Sequence, residues 1–339
     1  GRRAISELER LNERLNVDVV HLHCPMISWA TPQFHHCIQN IAPVVSSLHG
    51  SWLGERDGLL EASMAKEAAV WANVNDIAIR LSAERYAKFE SIAIRESSIC
   101  VANSRATKED FDSRYNPPPN WDCEVIHWGV DTEMFRPLDI EKEEEKLNFT
   151  EIRKRFGAVS PGSKLILAVG RLAARKGYST LIRGFSALNE EMPNTKLVIV
   201  GRGHLKRRLM RLAKSLGVEE DVRIESSLSF AELAQLYRSS DLVVYPSFYE
   251  GQGLIPLEAM ASGVPVVTVD HGPLPEMVDE SVGALFTMGN IESMVSVMRE
   301  VLKTGREKGE QGRARVLQKF TYSGNAESFE KVYIEAIKR

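Results

Sequence analysis

The chain has 339 residues, of which 43% are hydrophobic and 26% charged, and this length suggests two domains of an ordinary soluble protein. The formal net charge of −3 gives no general reason to expect nucleic acid as a partner. The longest apolar runs, at 165–170 and 264–269, are too short to cross a bilayer. No secretory signal pattern opens the chain.

The cysteines give the first indication of compartment. The chain has four of them, with no paired spacing and no CxxC motif: Cys24, Cys37, Cys100 and Cys123. In a chain of this size, such a pattern favours reduced thiols over a disulfide framework. We therefore expect a cytoplasmic protein.

The first part of the chain alternates strands and helices. A charged amphipathic helix opens it, and a long helical region covers about 59–97, interrupted near 73–76. A short helix at 107–114 ends before the prolines at 117–119. Strands are predicted at 17–23, 44–50, 98–104 and 124–127. This alternation predicts a parallel sheet with helices on both faces.

A polar stretch at 137–146, PLDIEKEEEK, is interpreted as an inter-domain linker or as an exposed helix leading out of it. A second alternating series follows, with strands at 164–170, 196–200, 222–225, 241–245 and 265–269. Helices are predicted at 178–191, 205–216, 230–238, 256–262, 291–302 and 325–338. The short connections fit a doubly wound α/β fold, in which ligands bind at the carboxyl ends of the strands.

The most informative stretch is 245–258, YPSFYEGQGLIPLE, which indicates a strand end, a glycine-broken loop and a helix start. Gly251 and Gly253 allow the backbone to bend and approach a ligand closely, and the free N–H groups of the helix start attract phosphate. Glu250 and Glu258 bracket the turn and can accept hydrogen bonds from sugar hydroxyls. The structural alternative is a solvated loop with an acidic first helical turn.

A basic loop follows the first strand of the second series: GRLAARKG, from Gly170 to Gly177. Arg171 and Lys176 can neutralise a diphosphate there, the first as a planar fork and the second as a point charge. Alone, this pattern is more typical of a basic surface loop, and only its place in the same sheet as 245–258 favours a functional interpretation. Downstream, GRGH at 201–204 is a weak glycine-rich signal. The basic helix behind it is interpreted as a solvated face, with peripheral membrane contact left open.

Six histidines and cysteines near the start of the chain suggest a metal site: His21, His23, Cys24, His35, His36 and Cys37. Their spacing, however, matches no common zinc pattern. We therefore expect no metal site there. No acidic pair of the DxD type, which would hold a divalent metal, occurs in a suitable loop. His49 ends an apolar strand just before Gly50, where either a structural residue or an active-site residue can lie. Glu276 adds another carboxylate at the sheet edge.

These motifs together resemble the retaining glycosyltransferases of family 4, which have the GT-B fold of two Rossmann-like domains facing a cleft. The resemblance is carried by EGQGLIPLEAMASGVPVV, which contains a glutamate pair eight positions apart, and by GRLAARKG upstream. The first half agrees more loosely, through SSLHG at 46–50 and IHWGVDTEMFRP at 126–137. The similarity covers nearly the whole chain and is most specific in 165–285.

The resemblance implies roles for individual residues. Glu250 would hold hydroxyls of the transferred sugar, Glu258 would bind the ribose, and His49 would lie beside the sugar from the other domain. Arg171 and Lys176 would hold the diphosphate as it leaves. The remaining donor-binding positions are in the two glycine-containing loops: Gly170, Gly251, Gln252, Gly253, Leu254 and Ile255. Family members need no metal or other cofactor, since cations and helix dipoles replace it.

The chain departs from the family pattern at two places. Gln252 stands where the family usually has Phe, and His127-Trp128 replaces the usual Pro-Asn before Gly129. A polar Gln252 near the sugar is predicted to influence donor choice. The opening strand and glycine-rich loop of the family are also not recognisable, so we expect at least one βα unit of the first domain to be missing from this stretch.

The predicted organisation is an acceptor-side domain at 1–137, a nucleotide-sugar-binding domain at 138–320 and a terminal helix at 321–339 that packs back on the first domain. The predicted function is metal-independent transfer of a hexose from a UDP- or GDP-linked donor to an unknown saccharide, lipid-linked or small-molecule acceptor, with retention. The alternatives are a nucleotide-sugar epimerase on the same fold and a non-catalytic nucleotide-sugar-binding protein. The sequence does not identify the base, the sugar or the acceptor.

Overall fold

The computed structural model describes residues 2–23, 34–67, 73–226 and 228–339, with the side chains of residues 35, 36 and 306 left out. The described strands form two separate parallel sheets, one of four strands and one of six. Helices connect successive strands, as parallel pairing requires. The predicted α/β fold with two parallel sheets is confirmed.

The first sheet has the strand order β1-β2-β3-β4, and all its pairs are parallel. Its strands are β1 (Val20–His23), β2 (Val44–Leu48), β3 (Ile99–Ala102) and β4 (Cys123–Val125). Its helices are α1 (Arg2–Leu15), α2 (Phe34–Gln39), α3 (Trp52–Met64), α4 (Val74–Glu96) and α5 (Arg105–Arg114). Every residue of β2 and β3 is buried, as expected for strands covered on both faces.

The second sheet has the order β10-β9-β8-β5-β6-β7. Its strands are β5 (Lys164–Val169), β6 (Thr195–Val200), β7 (Val222–Glu225), β8 (Leu242–Tyr245), β9 (Val266–Val269) and β10 (Gly283–Phe286). Counted from β5, this is the doubly wound order 3-2-1-4-5-6, in which the direction of winding reverses between β5 and β8. A ligand crevice is expected at the carboxyl ends of those two strands.

The helices of this half begin with α6 (Glu143–Arg155), so the polar stretch after residue 137 leads into an exposed helix. The remaining ones are α7 (Tyr178–Glu191), α8 (Lys206–Ser215), α9 (Phe230–Arg238), α10 (Leu254–Ala261), α11 (Leu274–Met277), α12 (Ile291–Lys319) and α13 (Tyr322–Lys338). In the described part of the chain, no helix is both long and apolar enough to cross a bilayer.

The last helix returns to the first sheet. Phe329, Val332 and Ala336 of α13 are buried in one cluster with residues of β2 and β3, among them Val45 and Ile99. The main-chain N–H of Val130 also donates to the carbonyl of Phe320, just before this helix. The first sheet is therefore covered partly by residues that follow the second sheet in the chain.

Candidate active site at the inter-domain cleft

The loops after β5 and β8 meet at the point where the winding of the second sheet reverses. The β5 loop contains a short 3-10 turn, Ala174–Lys176, closed by Gly177. The β8 loop ends at Gly253, whose φ of 102° favours glycine. Helix α10 begins directly after it, with main-chain N–H groups at its first turn that have no partner within the helix. The two sequence motifs are thus adjacent in space.

Lys176 and Glu250 form a buried ion pair between these loops. The hydroxyl of Tyr245 donates to Glu250 Oε1 at 2.7 Å, and Ser247 Oγ donates to the same oxygen at 2.6 Å. Lys176 Nζ also donates to the Tyr245 hydroxyl at 2.9 Å. Burial disfavours the charged carboxylate, but the charges of Lys176 and Arg175 outweigh it and hold the pKa of Glu250 below its ordinary value. Glu250 is therefore an ionised, firmly oriented acceptor.

The two arginines of the β5 loop have different environments. Arg171 is exposed. Arg175 is largely buried, and its Nε lies 3.1 Å from Glu55 Oε1 of α3. Its Nη1 also donates to the carbonyl of Tyr249 at 3.4 Å. Arg175 therefore connects the basic loop with the first domain, a role that the sequence analysis did not assign to it.

His49 lies on the opposite wall of the cleft, at the carboxyl end of β2. Its ring stacks on His23, with centroids 5.5 Å apart and planes within 5°, and makes an edge contact with Trp128 at 4.4 Å. Burial, and secondarily His23, lowers the pKa of His49 to about 4, so the ring is neutral near pH 7. Its Nδ1 atom is buried without a hydrogen-bond partner in the part of the chain that is described.

His21 is held by hydrogen bonds to neighbouring side chains. Its two ring nitrogens lie 2.7 Å from the hydroxyls of Tyr333 and Ser47. Among the described residues, no three His, Cys, Asp or Glu side chains come together as metal ligands would. Cys24 and the side chains of His35 and His36 lie outside the described set.

Glu258 lies on α10, where Tyr237 donates its hydroxyl proton to Glu258 Oε2 at 2.7 Å. Burial raises the pKa of this carboxyl to about 7, against the effect of the Tyr237 hydrogen bond. Glu258 can therefore change its charge near neutral pH. Glu250 differs in this respect, because its pKa is held below the ordinary value.

The β8 loop also contacts the first domain directly. The Tyr249 side chain packs on α3 where Gly54 and Gly58 leave room, since a Cβ at Gly54 would clash with the Tyr249 ring and one at Gly58 with the Tyr249 Cβ atom. The Tyr249 hydroxyl donates to the Ser51 carbonyl at 3.0 Å and accepts from the Ser51 N–H at 2.5 Å. The loop that carries Glu250 is thereby held against the other domain.

Gly251 and Gln252 of the same loop continue the contact with the first domain. The carbonyl of Gly251 accepts from Ser104 Oγ at 2.6 Å and Thr107 Oγ1 at 2.9 Å. Gln252 is 3% exposed, and its amide makes two hydrogen bonds to the main chain of Trp128. The Gln252 amide is therefore engaged with the first domain, and its predicted influence on donor choice stays a prediction.

Two carboxylates connect the domains, and each domain contributes one of them. Glu67, which follows α3, accepts from the N–H groups of Ser179 and Thr180 at 2.7 and 2.6 Å, in the first turn of α7. Glu276, in α11, accepts from the N–H groups of Arg105 and Ala106 at 3.0 and 2.9 Å, in the first turn of α5. Each domain thus supplies an anion to a helix N-terminus of the other, where negative charge is favoured.

Two cavities, of about 460 and 390 Å³, lie between the domains and share Tyr249 and Glu250 as lining residues. His49 and Arg175 line the smaller one. Arg171 and Glu258 line neither of these two cavities. The structure therefore brings Glu250 together with Lys176 and His49, whereas Arg171 and Glu258 lie outside these two cavities.

Solved structures with the same two-sheet arrangement identify the fold. Sucrose-phosphate synthase from Thermosynechococcus elongatus superposes with a TM-score of 0.75 over 98% of this chain and 77% of its own, at 20% identity. Anabaena HepE, solved in complex with UDP, gives 0.74 over 98% and 82%, at 18% identity. The fold is that of the two-domain GT-B glycosyltransferases.

Sequence comparison then identifies the family. Residues 149–315 match the profile of the glycosyl transferases group 1, and residues 1–134 match that of glycosyltransferase family 4. An uncharacterized glycosyltransferase of Methanocaldococcus jannaschii is 33% identical over 270 residues, which cover 79% of this chain and 62% of the relative. The chain belongs to this glycosyltransferase family.

A second relative is the D-inositol 3-phosphate glycosyltransferase of Corynebacterium aurimucosum, 29% identical over 257 residues, or 73% of this chain and 59% of the relative. The chain thus spans about three fifths of the length of these two relatives. The predicted resemblance to family 4 is confirmed.

Proposed function

We propose that the protein transfers a hexose from a UDP- or GDP-linked donor to an acceptor hydroxyl, with retention and without a metal. The observation that carries this proposal is the buried pair of Lys176 and Glu250 where the loops after β5 and β8 meet. This is the crevice where ligands of doubly wound sheets bind. It combines a cation for phosphate with a carboxylate for hydroxyl groups.

The main chemical task is to stabilise the departing nucleoside diphosphate. Lys176 supplies one positive charge, and exposed Arg171 of the same loop supplies a second that can turn toward the ligand. The first-turn N–H groups of α10 add a positive end to the site. Charges fixed in position before the reaction are effective because little reorganisation is needed as the leaving group becomes more negative.

The sugar is proposed to lie between Glu250 and His49. Glu250 is ionised and already oriented by Tyr245 and Ser247, so it can accept hydrogen bonds from sugar hydroxyls. His49 is neutral near pH 7 because burial lowers its pKa to about 4, and its unpartnered Nδ1 can exchange a hydrogen bond with the sugar without adding charge. Glu258 is proposed to accept from the two ribose hydroxyls.

The names of similar proteins support a nucleotide-sugar donor. HepE is described in complex with UDP and glucose, and a relative from Mycolicibacterium hassiacum is named as a mannosyltransferase. We therefore propose UDP-hexoses as the first donors to test and GDP-hexoses as the second. Saccharides are the acceptors to screen first.

The first experiment is a thermal-shift panel of UDP, GDP, ADP and their hexose conjugates, with and without Mg²⁺. A nucleotide present at 100 times its Kd should stabilise the protein by about 2.7 kcal/mol. A shift with one base that does not depend on Mg²⁺ supports the donor site. No shift with any nucleotide would contradict the proposal.

Turnover assays then separate transfer from its alternatives. Product formation that requires both donor and acceptor indicates transfer, and the anomeric configuration of the product reports retention. Conversion of the donor sugar without acceptor would indicate an epimerase instead. Donor binding without turnover over a broad acceptor panel would indicate a binding protein.

A further inference from the structure

The two departures from the family pattern, Gln252 and the His127-Trp128 dipeptide, contact each other across the cleft through Trp128. Trp128 N–H donates to Gln252 Oε1 at 2.7 Å, and Gln252 Nε2 donates to the Trp128 carbonyl at 3.0 Å. A carboxamide is suited to this pair because it carries a donor and an acceptor side by side. Gln252 is 3% exposed, so losing either bond would leave a buried polar group unpaired.

The turn that contains Trp128 is held on its other sides as well. His127 Nε2 lies 2.9 Å from Glu276 Oε2, and the His127 carbonyl accepts from Asn325 Nδ2 at 2.9 Å. A Cβ at Gly129 would clash with the main chain of Thr321. The main chain around Trp128 therefore has little freedom, and Gln252 is its link to the loop that carries Glu250.

Trp128 in turn fixes one side of His49. The indole lies 4.4 Å from the imidazole, with 63° between the planes, and His23 stacks on the imidazole at 5.5 Å. The Nδ1 atom of His49 makes no hydrogen bond in the described part of the chain. Ring packing therefore holds this imidazole, and the indole supplies one of its two ring contacts among the described residues.

The same loop also contacts the main chain of His49. A Cβ at Gly251 would clash with the His49 carbonyl oxygen, so the two backbones are in close contact at this point. Glu250, Gly251 and Gln252 are consecutive. One short segment therefore supplies three features: the carboxylate, the contact with the His49 backbone and the link to the His49 ring.

We infer that Gln252 and Trp128 are positioning residues for His49, which keep its imidazole in a set orientation relative to Glu250 when the cleft is closed. The inference rests on the proposed function, in which these two side chains face the transferred sugar. Misplacement of such a group by about 1 Å can cost on the order of 100-fold in rate. The pair therefore contributes to turnover without touching the sugar.

A double-mutant cycle tests the kinetic part. Gln252→Met keeps the volume of the side chain but removes both hydrogen bonds, so we expect kcat to fall about tenfold, with a smaller change in donor KM. In a His49→Ala background, the same substitution should change kcat less than about twofold, because its effect acts through His49. If Gln252→Met lowers kcat by the same factor in the native and in the His49→Ala background, the inference is overturned. Gln311→Met, at an exposed glutamine of α12, is the matched control.

A spectroscopic test needs no substrate. In protein with ¹³C-labelled histidine rings, the His49 signal is assigned by its absence in His49→Ala. Gln252→Met should move this signal toward its position in Trp128→Ala, and Gln311→Met should leave it in place. An unmoved signal in Gln252→Met would overturn the inference. Because the spectrum is recorded on free protein, this result is independent of whether hexosyl transfer is observed.

Discussion

Lys176 and Arg171 come from one loop, but their surroundings differ. Lys176 is 8% exposed and paired with Glu250, whereas Arg171 is exposed. Removing one partner of a buried ion pair leaves an uncompensated charge inside the protein. We expect Lys176→Met to lower the free energy of unfolding by about 3 kcal/mol and to abolish most turnover. Urea denaturation and steady-state kinetics measure the two effects.

Arg171→Ala is the matched control for this prediction. Because Arg171 is exposed, the free energy of unfolding should change by less than about 0.5 kcal/mol. Turnover should still fall, since one cation for the leaving diphosphate is lost. Full activity in Arg171→Ala, or native stability in Lys176→Met, would contradict these assignments.

Glu258 should make donor binding depend on pH. With a pKa of about 7, the carboxyl is mostly neutral at pH 6 and mostly ionised at pH 8. The neutral form accepts hydrogen bonds from ribose less well, so we expect donor KM to rise up to about tenfold between pH 8 and pH 6. In Glu258→Gln, this part of the pH dependence should disappear. KM profiles that are identical in the two proteins would exclude this role.

The same carboxyl changes the free energy of unfolding in the opposite direction. Donor binding improves as the pH rises, whereas the contribution of Glu258 to stability decreases. The pKa of Glu258 is higher in the folded protein than its ordinary value of 4.5, so the folded state binds a proton more tightly than the unfolded state. Its contribution to stability is therefore fully present below about pH 4.5 and is lost as the pH rises through 7. Glu258→Gln should accordingly be less sensitive to pH in thermal unfolding.

At the scale of elements, helix α3 leaves room for the Tyr249 ring at Gly54, where a Cβ would clash with the ring. Alanine is favoured over glycine inside a helix by up to about 1 kcal/mol, but a clash in a packed contact costs about 1–3 kcal/mol. We therefore expect Gly54→Ala to lower the melting temperature. Tyr249→Ala should remove the clash with the ring, so that Gly54→Ala becomes neutral or stabilising in that background.

Met64→Ala is the control on the same helix, because Met64 is 76% exposed. It should leave the melting temperature nearly unchanged. If Gly54→Ala stabilises the protein with Tyr249 in place, the ring does not need the space left by Gly54.

Most elements could be predicted from the sequence because their signals are local. Buried apolar runs indicated strands such as β5 and β8, and the predicted break near 73–76 coincides with the start of α4. Helix α12 was predicted to end near residue 302 but continues to Lys319. Its glycines at 305, 309 and 312 resemble breakers, but they allow close packing on Pro265, Gly263 and Met260.

The candidate site could be predicted only in part. Glu250, Lys176 and His49 follow strands, and the carboxyl ends of parallel strands share one edge. Arg175, Trp128 and Glu276 act through contacts with residues 74 to 171 positions away. No local spacing signals such contacts, since they depend on how the two domains meet.

At the scale of the whole molecule, the two domains are joined by the carboxylates of Glu67 and Glu276. Each accepts from two main-chain N–H groups at a helix start in the other domain. A lost cap costs about 1 kcal/mol, so the pair contributes substantially to closure. We expect the double variant Glu67→Ala and Glu276→Ala to open the cleft and increase the radius of gyration measured by X-ray scattering.

Glu219→Ala is the control, since Glu219 is exposed in the turn between α8 and β7. It should leave the radius of gyration unchanged. A scattering curve of the double variant that matches the native one would mean that other contacts suffice to keep the cleft closed.

The return of α13 to the first sheet has a consequence for the order in which the chain folds during synthesis. The strands of the first sheet leave the ribosome early, but the hydrophobic residues that cover one of their faces, Phe329, Val332 and Ala336, are translated only after the second sheet. That sheet and its helices come from one continuous segment. The domain translated second should therefore complete its core first, while the earlier domain awaits its last helix on the growing chain.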